Sequence, residues 1–152
     1  MRFVPALHIV FRARNWNPRG LAGDTAYGSA ANLDWLVNQQ GIAPHVPVID
    51  KSQREDGTFS REDFIYDEMR DIYTCPAGKT LATTGHVNSD HALRYLGSVP
   101  ACRACPLKAK CCPNMPARRI VRDVNEAARD AARTLAKTEA FAQSRRRYRK
   151  VK

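Results

Sequence analysis

Four cysteines, Cys102, Cys105, Cys111 and Cys112, crowd into a short stretch, and a fifth, Cys75, lies upstream. The two-residue gap in Cys102-Arg103-Ala104-Cys105 lets a tight knuckle turn both sulfurs toward one metal. Cys111 lies close enough to supply a third ligand and Cys75 a fourth, and four soft sulfurs in tetrahedral array suit Zn²⁺. Cys112 could replace Cys111, and His86 or His91 could replace Cys75. Four sulfurs leave no open coordination position, so such a zinc would be structural. The cysteine count is odd and no secretory signal is evident, which favours reduced thiols over a disulfide framework.

Two further groups could do chemistry. Asp24 ends an apolar stretch and is followed by small residues; a carboxylate at the edge of a sheet can ligate Mg²⁺, though the same residue also suits an ordinary turn. The run Arg145-Arg146-Arg147-Tyr148-Arg149-Lys150 could pair DNA phosphates and release counterions, or simply complement a helix dipole. Gly78-Lys79-Thr80 looks like the end of a phosphate-binding loop. The first glycine of that motif would be position 73, which is Tyr73, and no helical pattern follows, so nucleotide binding is excluded.

The elements that must position these groups can be read from pattern. A strand is expected over 21–24, then a helix capped by Ser29 with Leu33, Leu36 and Val37 on one face and Gly41 as its stop. A second strand is expected over 45–49, which completes a strand–helix–strand unit of the α/β kind. Residues 50–62 read as a polar loop with a turn at Asp56-Gly57. Residues 64–66 and 72–74 form an expected hairpin, and 92–96 a further strand. The chain ends in helices. Asp123 and Glu126 have capping-box spacing, and Val124, Ala127, Ala128, Ala131 and Leu135 recur at helical intervals. A second helical segment carries Phe141 and the basic run.

Composition bounds the rest. The 152 residues are 43% hydrophobic and 26% charged, which excludes collagen-like and wholly disordered classes. The apolar segment near the N-terminus is broken by Pro5 and His8, and no apolar run reaches the ~18 residues of a membrane span. The net charge of +10 is unevenly placed: residues 1–100 hold 10 basic and 11 acidic residues, and residues 101–152 hold 15 and 4. That asymmetry points to a polyanionic partner, DNA.

Leu21-Ala22-Gly23-Asp24-Thr25-Ala26-Tyr27-Gly28-Ser29-Ala30-Ala31-Asn32-Leu33, Pro47-Val48-Ile49-Asp50-Lys51, Tyr73-Thr74-Cys75-Pro76-Ala77-Gly78 and Cys105-Pro106-Leu107-Lys108 together resemble bacterial insertion-sequence transposases of the DDE type. The branch resembled is the one with a cysteine-bearing insertion between the second and third carboxylates, and the resemblance runs from about Asn17 to Lys152. It implies an RNase H-like fold in which Asp24 matches the second acidic residue of a triad. Such a triad holds two Mg²⁺ ions that activate water or a 3′-hydroxyl for in-line attack on a DNA phosphodiester. The first triad aspartate has no counterpart here, residues 1–16 do not resemble the family, and Lys152 stands where the resemblance expects a glutamate.

The expected architecture is therefore α/β: a non-family extension (1–16), a partial RNase H-like core (17–50), a β-rich, zinc-stapled cysteine insertion (51–120) and basic C-terminal helices (121–152). The expected function is that of a truncated transposase, inactive alone in strand cleavage, located in the cytoplasm and with the nucleoid when bound to DNA. An open sheet edge would invite self-association, unless the apolar residues 4–11 cover it. The competing expectations are a non-catalytic, zinc-containing nucleic-acid-binding module, and a decayed reading frame with no function.

Overall fold

Gly23 and Gly28 explain why the first elements are so short. A Cβ at Gly28 would stand 2.7 Å from the Pro47 carbonyl oxygen, and one at Gly23 would stand 3.3 Å from Val46. The chain therefore folds back closely on itself around the small-residue stretch. The computed structural model describes residues 19–48 and 53–151. The segment 4–11, the stretch 49–52 and Lys152 lie outside the described residues. The chain divides into two compact units, one formed by 19–48 with 125–151 and the other by 53–124.

In the first unit, β1 (Gly20–Ala22) pairs in parallel with β2 (Ala43–His45), with Leu21 opposite Pro44. Between them, a one-turn 3₁₀ segment (Thr25–Tyr27) leads into α1 (Ala30–Asp34), which widens into a π-helical turn over Trp35–Gln39. Ser29 caps α1 by accepting from the Asn32 amide at 3.3 Å, and Gly41 ends the helix with φ +63°, as the pattern predicted. Both strands are displaced from their expected spans. The first stops at Ala22 because Asp24 is already the cap of the 3₁₀ turn. The second starts earlier because the left-handed Gly41 reverses the chain at once, and the Ala43 amide donates to the Arg19 carbonyl at 3.0 Å.

The helices at the chain's end complete this unit. α4 (Glu126–Leu135) sets Ala128 and Ala132 against Leu33 and Val46, while Trp35, Leu36 and Ile42 pack with Leu21. Leu33 and Leu36 are wholly buried, worth ~1.5–3 kcal/mol each on removal from water. The expected capping box is absent as such. Asp123 belongs to the preceding strand, Asn125 occupies the cap position, and Glu126 turns inward to Arg133 at 2.8 Å and Arg129 at 3.4 Å. Val124 and Ala127 are exposed; the buried stripe is Ala128 and Ala132, one turn apart.

The second unit is an antiparallel sheet in sequence order: β3 (Ile65–Asp67), β4 (Ile72–Thr74), β5 (Thr80–Thr83), β6 (Ala92–Leu96) and β7 (Arg119–Asp123). The hairpin and β6 fall where the pattern put them. β5 and β7 have no sequence forecast: β5 begins at Thr80, inside the rejected phosphate-loop tripeptide, and β7 alternates Arg119, Ile120, Val121 and Arg122 so that charge masks its period. Between β6 and β7 come two short helices, α2 (Val99–Arg103) and α3 (Lys108–Cys111). The core is aromatic. Tyr66, Tyr73 and Tyr95 meet with ring centroids 4.9–6.2 Å apart, and Phe64, Leu81 and Ile120 join them.

No helix among the described residues is long and apolar enough to cross a membrane.

Candidate functional site

Asp24 lies just past the C-terminal end of β1, at the edge where α/β sheets place ligands. Its carboxylate accepts from the Ala26 amide at 3.1 Å and so caps the 3₁₀ turn. The last helix, α5 (Glu139–Val151), reaches the same edge. Phe141, Ser144, Arg145 and Tyr148, spaced three, four and seven residues apart, are its half-buried side. Phe141 meets the edge of the His45 ring at 6.0 Å, Ser144 is 2.5 Å from His45 Nδ1, and Arg145 donates to the Gly23 carbonyl oxygen beside Asp24.

The basic run thus divides by role. Arg145 is tied to the backbone of the Asp24 turn and lies over the Tyr148 ring at 5.3 Å, and Arg146 pairs with Glu139. Arg147, Arg149 and Lys150 stand exposed on α5. The structure brings Asp24 and the basic helix together. Among the described residues, no three His, Cys, Asp or Glu side chains form a group able to hold a metal ion.

The five cysteines converge in the second unit, where all of them line one cavity of about 180 Å³. Cys75 sits at the end of β4 in a tight turn: Gly78, at φ +75°, donates to the Cys75 carbonyl at 2.8 Å, and the Lys79 amide donates to Cys75 Sγ at 3.2 Å. Cys102 is held by α2, and its sulfur lies 3.0 Å from where a Cβ on Gly97 would be. Cys105 follows by a turn closed on the Cys102 carbonyl, and Cys111 ends α3. His86 and His91, the alternatives to Cys75, are not among the residues lining this cavity. All five thiols are free. Burial pushes the Cys111 thiol up to about 11, and neighbouring Cys112 adds to the rise.

Sequence reasoning missed Arg118, which lines the same cavity. It is 5% exposed, donates to the Cys111 carbonyl at 2.8 Å and the Phe59 carbonyl at 2.9 Å, and lies over the Phe64 ring at 4.9 Å. Burial pushes its guanidinium below the ordinary value, and Arg54 adds to that, whereas Cys111 and Cys112 oppose it. Also missed was a buried polar knot beside the sheet. Asp71, at φ +50°, accepts from Tyr66 Oη at 2.7 Å and Tyr95 Oη at 2.6 Å, and Arg122 stacks 3.9 Å from the Tyr66 centroid. The alternation of Arg118, Ile120 and Arg122, running into β7, is the sequence signal that would have marked both arginines as inward.

A family profile describing the transposase DDE domain matches residues 74–151, just over half of the chain. The chain belongs to that family. No curated protein and no solved structure matches. The matched span of this transposase takes in Cys75, the cysteine cavity's remaining sulfurs and all of α5, while Asp24 lies upstream of it. The mixed helix-and-sheet architecture, with its antiparallel five-stranded sheet, agrees with a DDE domain. Membership carries DNA as the partner and divalent metal as the family's means of catalysis.

Proposed function

We propose that this transposase chain engages DNA phosphates through Arg147, Arg149 and Lys150 of α5, at the sheet edge that carries Asp24. The observation that carries this reading is the Arg145 contact to the Gly23 carbonyl, which fastens a helix with exposed cations beside that edge. A parallel strand pair linked by α1 and covered by α4 is what a partial RNase H-like core would look like, with Asp24 as a carboxylate descended from an Mg²⁺ ligand. The described residues do not fit a complete two-metal site, because they supply no three-ligand group. On this reading the chain alone is inactive in strand cleavage and transfer.

Duplex DNA binding, followed by fluorescence anisotropy over a salt series, tests the interface. Replacing all three cations by alanine should flatten the slope of log K against log salt by about 2.7, at ~0.9 for each phosphate no longer neutralised. An unchanged slope would overturn the interface. For catalysis, the chain is incubated with element-end DNA and Mg²⁺ or Mn²⁺; nicking that Asp24→Ala abolishes would refute inactivity.

A second reading is a non-catalytic, zinc-containing nucleic-acid-binding module, favoured by the convergence of five cysteines on one cavity. DNA affinity that survives Asp24→Ala and falls with the α5 cations would be sufficient for it.

A further inference from the structure

The charge balance around the cysteine cavity does not close with neutral thiols. Lys79, Lys108 and Arg118 line it, and among the described residues no Asp or Glu does. Arg118 is the severe case. It is 5% exposed, its Nε is buried without a hydrogen-bond partner, and its two bonded nitrogens reach only neutral carbonyls. Asp56 lies toward the other side of Arg118, but it is exposed and already holds the Thr58 amide at 2.9 Å and the Thr58 hydroxyl at 2.5 Å. A buried guanidinium without an anion is costly, by several kcal/mol per ion in order of magnitude.

We propose that Cys75, Cys102, Cys105 and Cys111 bind a structural Zn²⁺ in this cavity, and that Arg118 offsets the charge of the resulting tetrathiolate. Binding converts four thiols into four thiolates and releases four protons, so the Zn²⁺ centre carries a net charge of −2 that the lining cations offset. This inference shares its metal with the second reading above and needs no DNA.

Three contacts support it independently of the cysteine count. The Lys79 amide donating to Cys75 Sγ is a bond that a metal-bound thiolate accepts well. Gly97 leaves room for the Cys102 sulfur, which any side chain there would press upon at 3.0 Å. Cys112 Sγ is already engaged by Lys108 Nζ at 4.0 Å, which leaves Cys111 as the fourth ligand. Among the described residues the sulfurs form no ligand group as they stand, so the proposal requires the thiols lining this cavity to turn toward one another on binding.

The test uses the full chain, purified under a non-chelating reductant, without DNA. Metal analysis should find one zinc per chain, and Co²⁺ added to the stripped protein should give the absorption of a tetrahedral thiolate site. A reduced chain that holds no zinc and gives no Co²⁺ spectrum would overturn the site. Cys111→Ser should abolish the spectrum and Cys112→Ser should leave it; the reverse would overturn the ligand choice. Arg118→Met should weaken zinc binding by about 10–100-fold, with partial recovery in Arg118→Lys. Equal affinity in Arg118→Met would overturn the counter-ion role, even with the metal present. If serine variants fail to fold, chelator competition on the unmodified chain still measures the affinity. Failure of the DNA reading is separate, since it is read from the α5 cations alone.

Discussion

The two units solve burial by opposite means. Residues 53–124 build a sheet whose strands follow one another in sequence, and they fill its inner side with tyrosines, cysteines and two arginines. The unit of 19–48 and 125–151 has a single pair of strands, and its core closes only when α4 returns from the far end of the chain. The first kind of core is local and rich in hydrogen bonds; the second is small, aliphatic and assembled over long range. Unit 53–124 thus depends on polar satisfaction among its aromatics, while the other buries a carboxylate, Glu126, that is ion-paired within α4.

The largest expected effect separates the two. Tyr95 is wholly buried and central to the aromatic cluster, so Tyr95→Ala should cost ~3–5 kcal/mol. The loss should appear in the near-ultraviolet tyrosine signal during urea unfolding. Tryptophan fluorescence, whose described reporter Trp35 lies in the other core, should keep its midpoint. If both signals shift together, the two cores are one cooperative unit and the contrast fails.

The next effect strikes the other core. Glu126 is 1% exposed and is bonded to Arg133 at 2.8 Å. Arg133→Ala takes away its shorter ion-pair contact and leaves Arg129 at 3.4 Å, which should cost about 2–3 kcal/mol. The fluorescence midpoint should fall while the tyrosine signal holds, the mirror image of Tyr95→Ala. Glu126→Gln removes the buried charge with little change of shape, so a smaller loss there would locate the cost in the charge of the buried carboxylate.

The same contrast explains what could be read in advance. Ser29, Gly41, the Ile65–Asp67 hairpin partner and the Ala92–Leu96 strand obey local rules of capping, turn chemistry and β-branched runs, and they stand where those rules put them. β7 was illegible because the buried residues in and just before it include Arg122 and Arg118, whose burial depends on carbonyls and rings distant in sequence. Glu126 was misread for the same reason: its spacing from Asp123 fits a capping box, but its partner is Arg133 on the helix interior side. Of the candidate site, the four clustered cysteines were legible as neighbours because their spacing is local, and Arg118 was not. Asp24 was legible as an edge carboxylate; its tie to α5 runs through the Gly23 backbone, which no side-chain pattern reports.

The smallest effect is a pH dependence that belongs to one unit only. Burial raises both Tyr66 and Tyr95 above the ordinary tyrosine value of 10.0, and their bonds to Asp71 raise them further. Each is an acid kept protonated by the fold. Above about pH 10 the unfolded chain therefore binds fewer protons than the folded one, and stability falls as pH rises. Below that value the contribution is fully present. Urea midpoints between about pH 8 and 11 should hold level at first and then decline in the tyrosine signal alone. Asp71→Asn should blunt the decline, because a neutral amide no longer accepts as strongly from the two hydroxyls. A decline of equal size in the tryptophan signal would show that the alkaline transition is general, and that the Asp71 knot is not what sets the aromatic core apart.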